Sequence, residues 1–261
     1  MRETGRINER AGHGTQESDL IDTEELLRAY YERKPDVTIA EHRVVFGTSG
    51  HRGSSLDTAF NEDHIAAITQ AIVEYRASQG TTGPLFVGSD THTLSRPAET
   101  TALEVLEANG VNARVDEFGD YLPTPALSHA ILKHNAAIST GQATGGQADG
   151  IVITPSHNPP RDGGVKYNPP HGGPADTEAT AWIAGRANEL LADGNRDVRM
   201  AEPTAVASYD FCGNYVDDLA GAINIDAIRR AGIRIGADPL GGASVNYWNA
   251  IASTTISTSP S

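Results

Sequence analysis

The 261-residue chain is poor in cysteine, in lysine and in long apolar runs. Cys212 is its only cysteine, which excludes an intrachain disulfide and argues against a thiolate metal site. No apolar run approaches the roughly 18 residues that a membrane helix needs. Met1 to Asp19 is polar and lacks the apolar segment of a secretory signal. The expected setting is a reducing cytoplasm, away from membranes. Positive charge is also short: 20 Lys and Arg stand against 34 Asp and Glu, a net charge of −14. That balance argues against nucleic acid as the main partner, because a phosphate-backbone binder needs basic surface to release counterions. A small phosphorylated ligand stays open, since a local group of arginines and backbone amides can outweigh the global field.

What the chain does hold is short apolar strands alternating with helices. Ser18 or Asp19 caps an arm helix carrying Leu20, Leu26, Leu27, Tyr30 and Tyr31, which Pro35 stops. Val44-Val45-Phe46 reads as a strand running into Gly47-Thr48-Ser49-Gly50. Asn61 or Asp63 opens a helix with Ile65, Ile68 and Ile72 at helical spacing. Leu85-Phe86-Val87 is a short buried strand. A helix over Ala98 to Ala108, a strand over Val111 to Phe118 and a helix over Pro125 to His134 follow. Ser139 to Gln147 reads as a flexible surface insertion. Ile151-Val152-Ile153 is a further strand and Thr177 to Leu191 a further helix. The alternation predicts an α/β fold, a mostly parallel sheet with helices on both faces.

The expected organisation is an N-terminal arm over residues 1–40, a main domain over 41–203, the beginning of a second α/β domain over 204–252 and a polar tail over 253–261. The second domain opens with a helix from Tyr209 to Ala222, and Ile233 to Asp238 reads as its first strand. One strand and one helix cannot bury a core alone, so this domain reads as cut short.

The candidate chemistry sits in Thr154-Pro155-Ser156-His157-Asn158-Pro159 and in Gly163-Gly164-Val165-Lys166. Ser156 follows a buried strand, and ligands of open α/β sheets lie at the carboxyl ends of strands. The bland alternative is a turn, since Ser and Asn-Pro are turn formers. A hydrolase elbow Gly-x-Ser-x-Gly is absent, and His157 is adjacent in sequence, a poor place for a general base. A serine that carries a phosphoryl group fits better. Lys166, one of only three lysines, can move a proton beside phosphate, because its pKa is adjustable by burial and neighbours. Gly47-Thr48-Ser49-Gly50-His51-Arg52-Gly53 offers backbone amides, and Arg52 offers a forked phosphate donor. Asp90, at another strand end, reads as a cap that could line the same cleft.

Together, Phe46 to Gly53, Gly88 to His92, Ile151 to Pro160 and Asp162 to Pro170 resemble the phosphohexomutases, in their bacterial phosphoglucomutase branch. Gly236 to Ala243 is similar to the opening of that family's second domain. The resemblance runs in order over Ser18 to Ala252. It implies that Ser156 is the phosphoserine, which passes its phosphoryl group to the 6-hydroxyl of α-D-glucose 1-phosphate through glucose 1,6-bisphosphate, also the activator. It implies proton-transfer and transition-state roles for Lys166 and Arg52. It further implies phosphate contacts for Thr48, Ser49, Gly50, His51, His157 and Asn158. Mg²⁺ would be held by the phosphate on Ser156 together with an Asp-x-Asp-x-Asp loop, and that loop is not in this sequence. Hexose phosphates are the implied partners. The chain reads as an N-terminal half, weak or inactive alone, or as a non-catalytic sugar-phosphate- or partner-binding module derived from such an enzyme.

Overall fold

The computed structural model describes residues 10–47 and 50–256. Its strands are β1 (His51–Ser54), β2 (Leu85–Ser89), β3 (Ala113–Asp116), β4 (Asp149–Ile153), β5 (Asp162–Asn168) and β6 (Ala207–Tyr209). They form one six-stranded sheet in the order β1-β5-β4-β2-β3-β6. From β4 through β2 and β3 to β6 the pairing is parallel, while β5 runs antiparallel to both β4 and β1. The sheet is thus parallel across its middle and carries an antiparallel hairpin on one side. The loop of that hairpin, residues 154–161, carries Ser156.

Helices cover both faces. They are α1 (Thr23–Glu32), α2 (Glu62–Ser78), α3 (Ser95–Ala108), α4 (Thr124–Ser139), α5 (Thr177–Ala192) and α6 (Phe211–Asp217), followed by α7 (Leu219–Ala222), α8 (Ile225–Ala231) and α9 (Val245–Ile256). Side chains alternate across a strand. Leu85, Val87, Ile151 and Ile153 therefore pack on one side with Ile68 and Ile72 of α2, Ala102 of α3 and Ile183 of α5. Phe86 and Val152 pack on the other with Leu127 and Ile131 of α4 and Phe211 of α6. Two covered faces are why β2 and β4 read as unbroken apolar runs rather than as alternating ones.

Several elements differ from the sequence expectation. Val44 to Phe46 is not a strand; only Phe46 makes an isolated bridge, to His51. The Asn188 side chain occupies the Val44 backbone instead, accepting from its N–H (2.9 Å) and donating to its carbonyl (2.8 Å). The ladder falls to His51–Ser54, whose Gly and Ser content hid it. Gly163 and Gly164, given no element in the sequence reading, belong to strand β5. Ile233 to Asp238 pairs with no strand, and Ile233 and Ile235 are 61% and 64% exposed. The region expected as one helix from Tyr209 to Ala222 divides into the end of β6, α6 and α7. β6 pairs with β3, and Phe211 of α6 lies in the core beside α4.

Two buried polar groups were not legible in the sequence. Arg76 of α2 reaches the first residue of β4: its Nε and Nη2 each lie 3.0 Å from an Asp149 carboxylate oxygen, and Nη2 also donates to the Gly83 carbonyl at 2.7 Å. Tyr167 donates its hydroxyl to the same carboxylate at 2.8 Å. Burial pushes the Asp149 carboxyl up, and the Arg76 and Tyr167 contacts pull it back. The second group is a stacked imidazole pair, His51 and His64, with centroids 5.7 Å apart. His64 accepts from the Asn61 N–H and donates to the His42 carbonyl, which fits a neutral ring. Burial, and then the neighbouring His51, push the His64 imidazole down to about 4.

Removing one member of the Arg76–Asp149 pair leaves the other charged and dry. Asp149→Ala should cost about 3–5 kcal/mol in urea unfolding, and a loss under 1 kcal/mol would contradict the buried pair. For His64 the folded group binds its proton less tightly than the unfolded one, so stability is complete above about pH 6.5 and falls towards pH 4. The loss over that window is on the order of 3 kcal/mol. Unfolding midpoints at pH 7 and pH 4.5 measure it, and His64→Gln should flatten the slope.

Candidate active site

β4 is buried along its whole length and delivers Thr154, Pro155 and Ser156 to the sheet's carboxyl edge. The Thr154 N–H donates to the Gly164 carbonyl at 2.8 Å, and the Asp90 N–H donates to Ile153 at 3.0 Å. The chain then turns sharply. Ser156 lies in the left-handed region at φ 64°, which costs a non-glycine residue roughly 1–2 kcal/mol. Its N–H is held by the Thr154 hydroxyl at 2.9 Å. The outcome is an exposed serine on a backbone fixed from below.

β5 supplies the wall beside it. A Cβ on Gly164 would sit 2.3 Å from the Thr154 carbonyl oxygen, so only glycine allows β5 to lie this close to the serine loop. On the other side, a Cβ on Gly50 would meet the Val165 carbonyl at 2.5 Å and the Lys166 Cγ at 2.6 Å. Gly50 therefore acts here as a floor for Lys166. The half-buried Lys166 ammonium is held below its ordinary range by burial first and then by the like charge of Arg52, with Asp90 opposing.

Arg52 of β1 stands opposite Gly164 in register. Its Nη1 donates to Asn158 Oδ1 at 3.2 Å, while its Nε is buried and has no hydrogen-bond partner among the described residues. Asn158 Nδ2 donates in turn to Asp162 Oδ2 at 3.0 Å. Asp90 ties down the turn that leads into α3, accepting from Ser95 Oγ at 2.6 Å and from the His92 N–H at 3.0 Å. His92 ties the two loops together through the Pro160 carbonyl at 2.7 Å. A cleft of about 450 Å³ opens here, lined by Asp90, His92, Ser156, Asn158 and, from far along the chain, Leu240 and Gly241.

Ser156, Asn158, Arg52, Lys166 and Gly50 thus converge from three segments. His157 is exposed next to Ser156. Thr48 and Ser49 lie outside the described residues. His51 takes a different place from the one expected: it is buried, its Nε2 donates to the Ala59 carbonyl at 2.7 Å, and its other nitrogen meets the Val45 backbone at 3.2 Å. It stacks between Phe60 and His64, and burial lowers its pKa. It supports β1 rather than facing the cleft. Sequence reasoning placed Thr154 and Asp162 inside its motifs but gave neither a role. The first had a signal, a hydroxyl two residues before a turn; the second had none.

No histidine hydrogen-bonds Ser156 among the described residues, so a serine–histidine pair for hydrolysis is not assembled. An exposed hydroxyl with a guanidinium and a depressed amine close by suits an incoming phosphoryl group. Among the described residues, no three His, Cys, Asp or Glu side chains gather to hold a metal.

The sequence profile for phosphoglucomutase/phosphomannomutase, alpha/beta/alpha domain I, matches residues 43–192. A phosphoglucomutase of Komagataeibacter xylinus is 53% identical over 248 residues, covering 92% of this chain and 44% of that protein. Phosphoglucomutase 1 of Saccharomyces cerevisiae is 36% identical over 162 residues, 59% of this chain and 24% of its own length. The chain therefore spans less than half the length of these relatives. Among solved structures, the open form of the Paramecium phosphoprotein pp63/parafusin, titled a phosphoglucomutase, superposes with a TM-score of 0.66 at 22% identity. It covers 87% of this chain and 43% of that one, and it shares the fold.

Glycine enters the left-handed region freely, whereas alanine does not. Ser156→Gly should therefore exceed Ser156→Ala in unfolding free energy by about 0.5–1 kcal/mol. Equal stabilities in urea titration would mean that the turn is not held in this conformation.

Proposed function

Because this chain belongs to the phosphoglucomutase/phosphomannomutase family, we propose that Ser156 is its phosphoryl carrier and that the reaction served is the interconversion of α-D-glucose 1-phosphate and glucose 6-phosphate. The observation that carries the proposal is the convergence of an exposed, backbone-fixed Ser156 with Arg52 and Lys166. The step balances as follows. The sugar 6-hydroxyl oxygen attacks phosphorus on Ser156, the P–O6 bond forms, the P–Oγ bond breaks, and the 6-hydroxyl proton ends on Ser156 Oγ. Glucose 1,6-bisphosphate results. The bisphosphate then turns over in the site: Ser156 Oγ attacks the phosphorus at position 1, the P–Oγ bond forms, the P–O1 bond breaks, the Oγ proton passes to O1 and glucose 6-phosphate leaves.

Phosphoryl transfer depends on positioning and charge neutralisation more than on covalent help from the protein. A phosphoserine carries about −1.5 to −2 charge. Arg52 offers its unpartnered Nε–H to a phosphoryl oxygen, and Asn158 holds the guanidinium from the other side. Lys166, with its amine already easier to deprotonate, is the group to relay the proton between hydroxyl and Oγ. Thr48, Ser49, Gly50 and His157 remain in the proposal as phosphate-side contacts, while His51 holds β1 through Ala59, Phe60 and His64.

Mg²⁺ would supply further charge neutralisation at the phosphate on Ser156. The described residues do not complete a coordination set for it. Full turnover is proposed for the whole enzyme, of which these residues provide the carrier side. No helix among the described residues is long and apolar enough to cross a membrane. A cytoplasmic setting matches a relative from Bromus inermis, 34% identical over 142 residues and named phosphoglucomutase, cytoplasmic.

Incubation with glucose 1,6-bisphosphate and Mg²⁺, followed by peptide mass analysis, tests the carrier. One phosphate on Ser156, lost in Ser156→Ala, is the expected result. Bound sugar phosphate with no covalent phosphate would instead indicate a non-catalytic binding module.

A further inference from the structure

Among the described residues, Asn158 is the side chain that joins Arg52 to the serine loop, and its amide has two ends of nearly the same shape. One end donates and the other accepts. Its two neighbours leave a single orientation. Arg52 Nη1 only donates, so it needs Oδ1, which lies 3.2 Å away. The Asp162 carboxylate accepts, so it needs Nδ2, which lies 3.0 Å away. The flipped amide would set oxygen against carboxylate and NH₂ against guanidinium, replacing two attractions by two repulsions. The Asp162 backbone has separate work: its N–H donates to the Pro159 carbonyl at 2.9 Å, and it stands opposite Ser54 in the β1–β5 ladder. The side chain is therefore free to be changed without removing a strand contact.

We infer that Asp162 is a positioning residue: its carboxylate sets the amide of Asn158, and through it holds the Arg52 guanidinium with Nε–H directed to a phosphoryl oxygen at Ser156. Nε is the donor left over. It is buried and has no acceptor among the described residues, and a buried donor without an acceptor is costly. An arriving phosphoryl oxygen satisfies it. Without Asp162 the amide can rotate, Nη1 loses its acceptor, and the guanidinium plane is free to turn away. The inference rests on Ser156 being the carrier, and the test below separates the two.

Wild type, Asp162→Asn and Asp162→Ala are compared, with Asp162→Ser as a second truncation. Asparagine at 162 keeps a carbonyl oxygen for Asn158 Nδ2; alanine does not, and serine is too short to reach it. Circular dichroism and thermal midpoints confirm that the fold is kept. The rate of phosphate loading on Ser156 from glucose 1,6-bisphosphate should fall about tenfold in the truncations, equivalent to losing one charge-assisted hydrogen bond. It should stay within about twofold in Asp162→Asn. In the unliganded protein, the Arg52 Nε–Hε resonance should shift and exchange faster in the truncations but not in Asp162→Asn.

Truncations that load as fast as wild type overturn the inference. So does an equal loss in Asp162→Asn, which would mean that charge rather than amide orientation matters. If wild type itself takes up no phosphate, the carrier reading fails. The Arg52 resonance then decides the positioning role alone: unchanged in every variant, it rejects the role; changed only in the truncations, it sustains it.

Discussion

The site depends on how closely β5 can lie against its neighbours. β5 lies between β4, which brings the serine, and β1, which brings the arginine. The gap on the serine side is set by Gly164 against the Thr154 carbonyl, and the gap on the other side by Gly50 against Lys166. A side chain at either position would push one wall outward by at least about half an ångström, since its Cβ would sit at 2.3 or 2.5 Å from a carbonyl oxygen where real contacts begin at 3.0 Å. A phosphoryl group has to meet its donors at hydrogen-bond range, so a shift of that size separates them. The hairpin is thus a spacing device as much as a piece of sheet.

Charge follows from the same packing. The chain as a whole is strongly acidic, at −14, yet Arg52 and Lys166 stand close enough for one to depress the pKa of the other. Two like charges in a partly buried place are unfavourable without an anion between them. The resting site therefore holds unspent attraction for a doubly charged group, which is what the carrier reading requires. The global field does not decide affinity here, because a short-range pair in a partly buried cleft is screened far less than surface charge.

Much of this was readable beforehand, for identifiable reasons. β2 and β4 announced themselves because both their faces are covered, which leaves unbroken Leu85-Phe86-Val87 and Ile151-Val152-Ile153. Ser156 stands out because strand ends in an α/β sheet are where ligands sit; Lys166 and Arg52 are singled out by residue type and motif, and the structure places them within β5 and β1. What stayed hidden were contacts between residues distant in sequence. Arg76 and Asp149 are 73 positions apart and carry no local pattern. Asn188 takes the backbone of Val44 from 144 positions away, which turns an apparent strand into a tethered segment. His51 sits among site motifs, but its ring is turned inward by Phe60 and His64, and no spacing rule distinguishes inward from outward there. Ile233 to Asp238 has the alternation of a strand, but pairing needs a partner as well as a pattern.

β4 joins two ends of different character, a buried carboxylate at Asp149 and an exposed hydroxyl just past Ile153. Five residues of strand span roughly 16 Å, so a ligand held at Ser156 lies far from Arg76 and Asp149. In a genetic screen, substitutions at these two positions would nevertheless score among the null alleles. Their effect would come through clearance of unfolded chain and lowered cellular abundance, not through any change at Ser156.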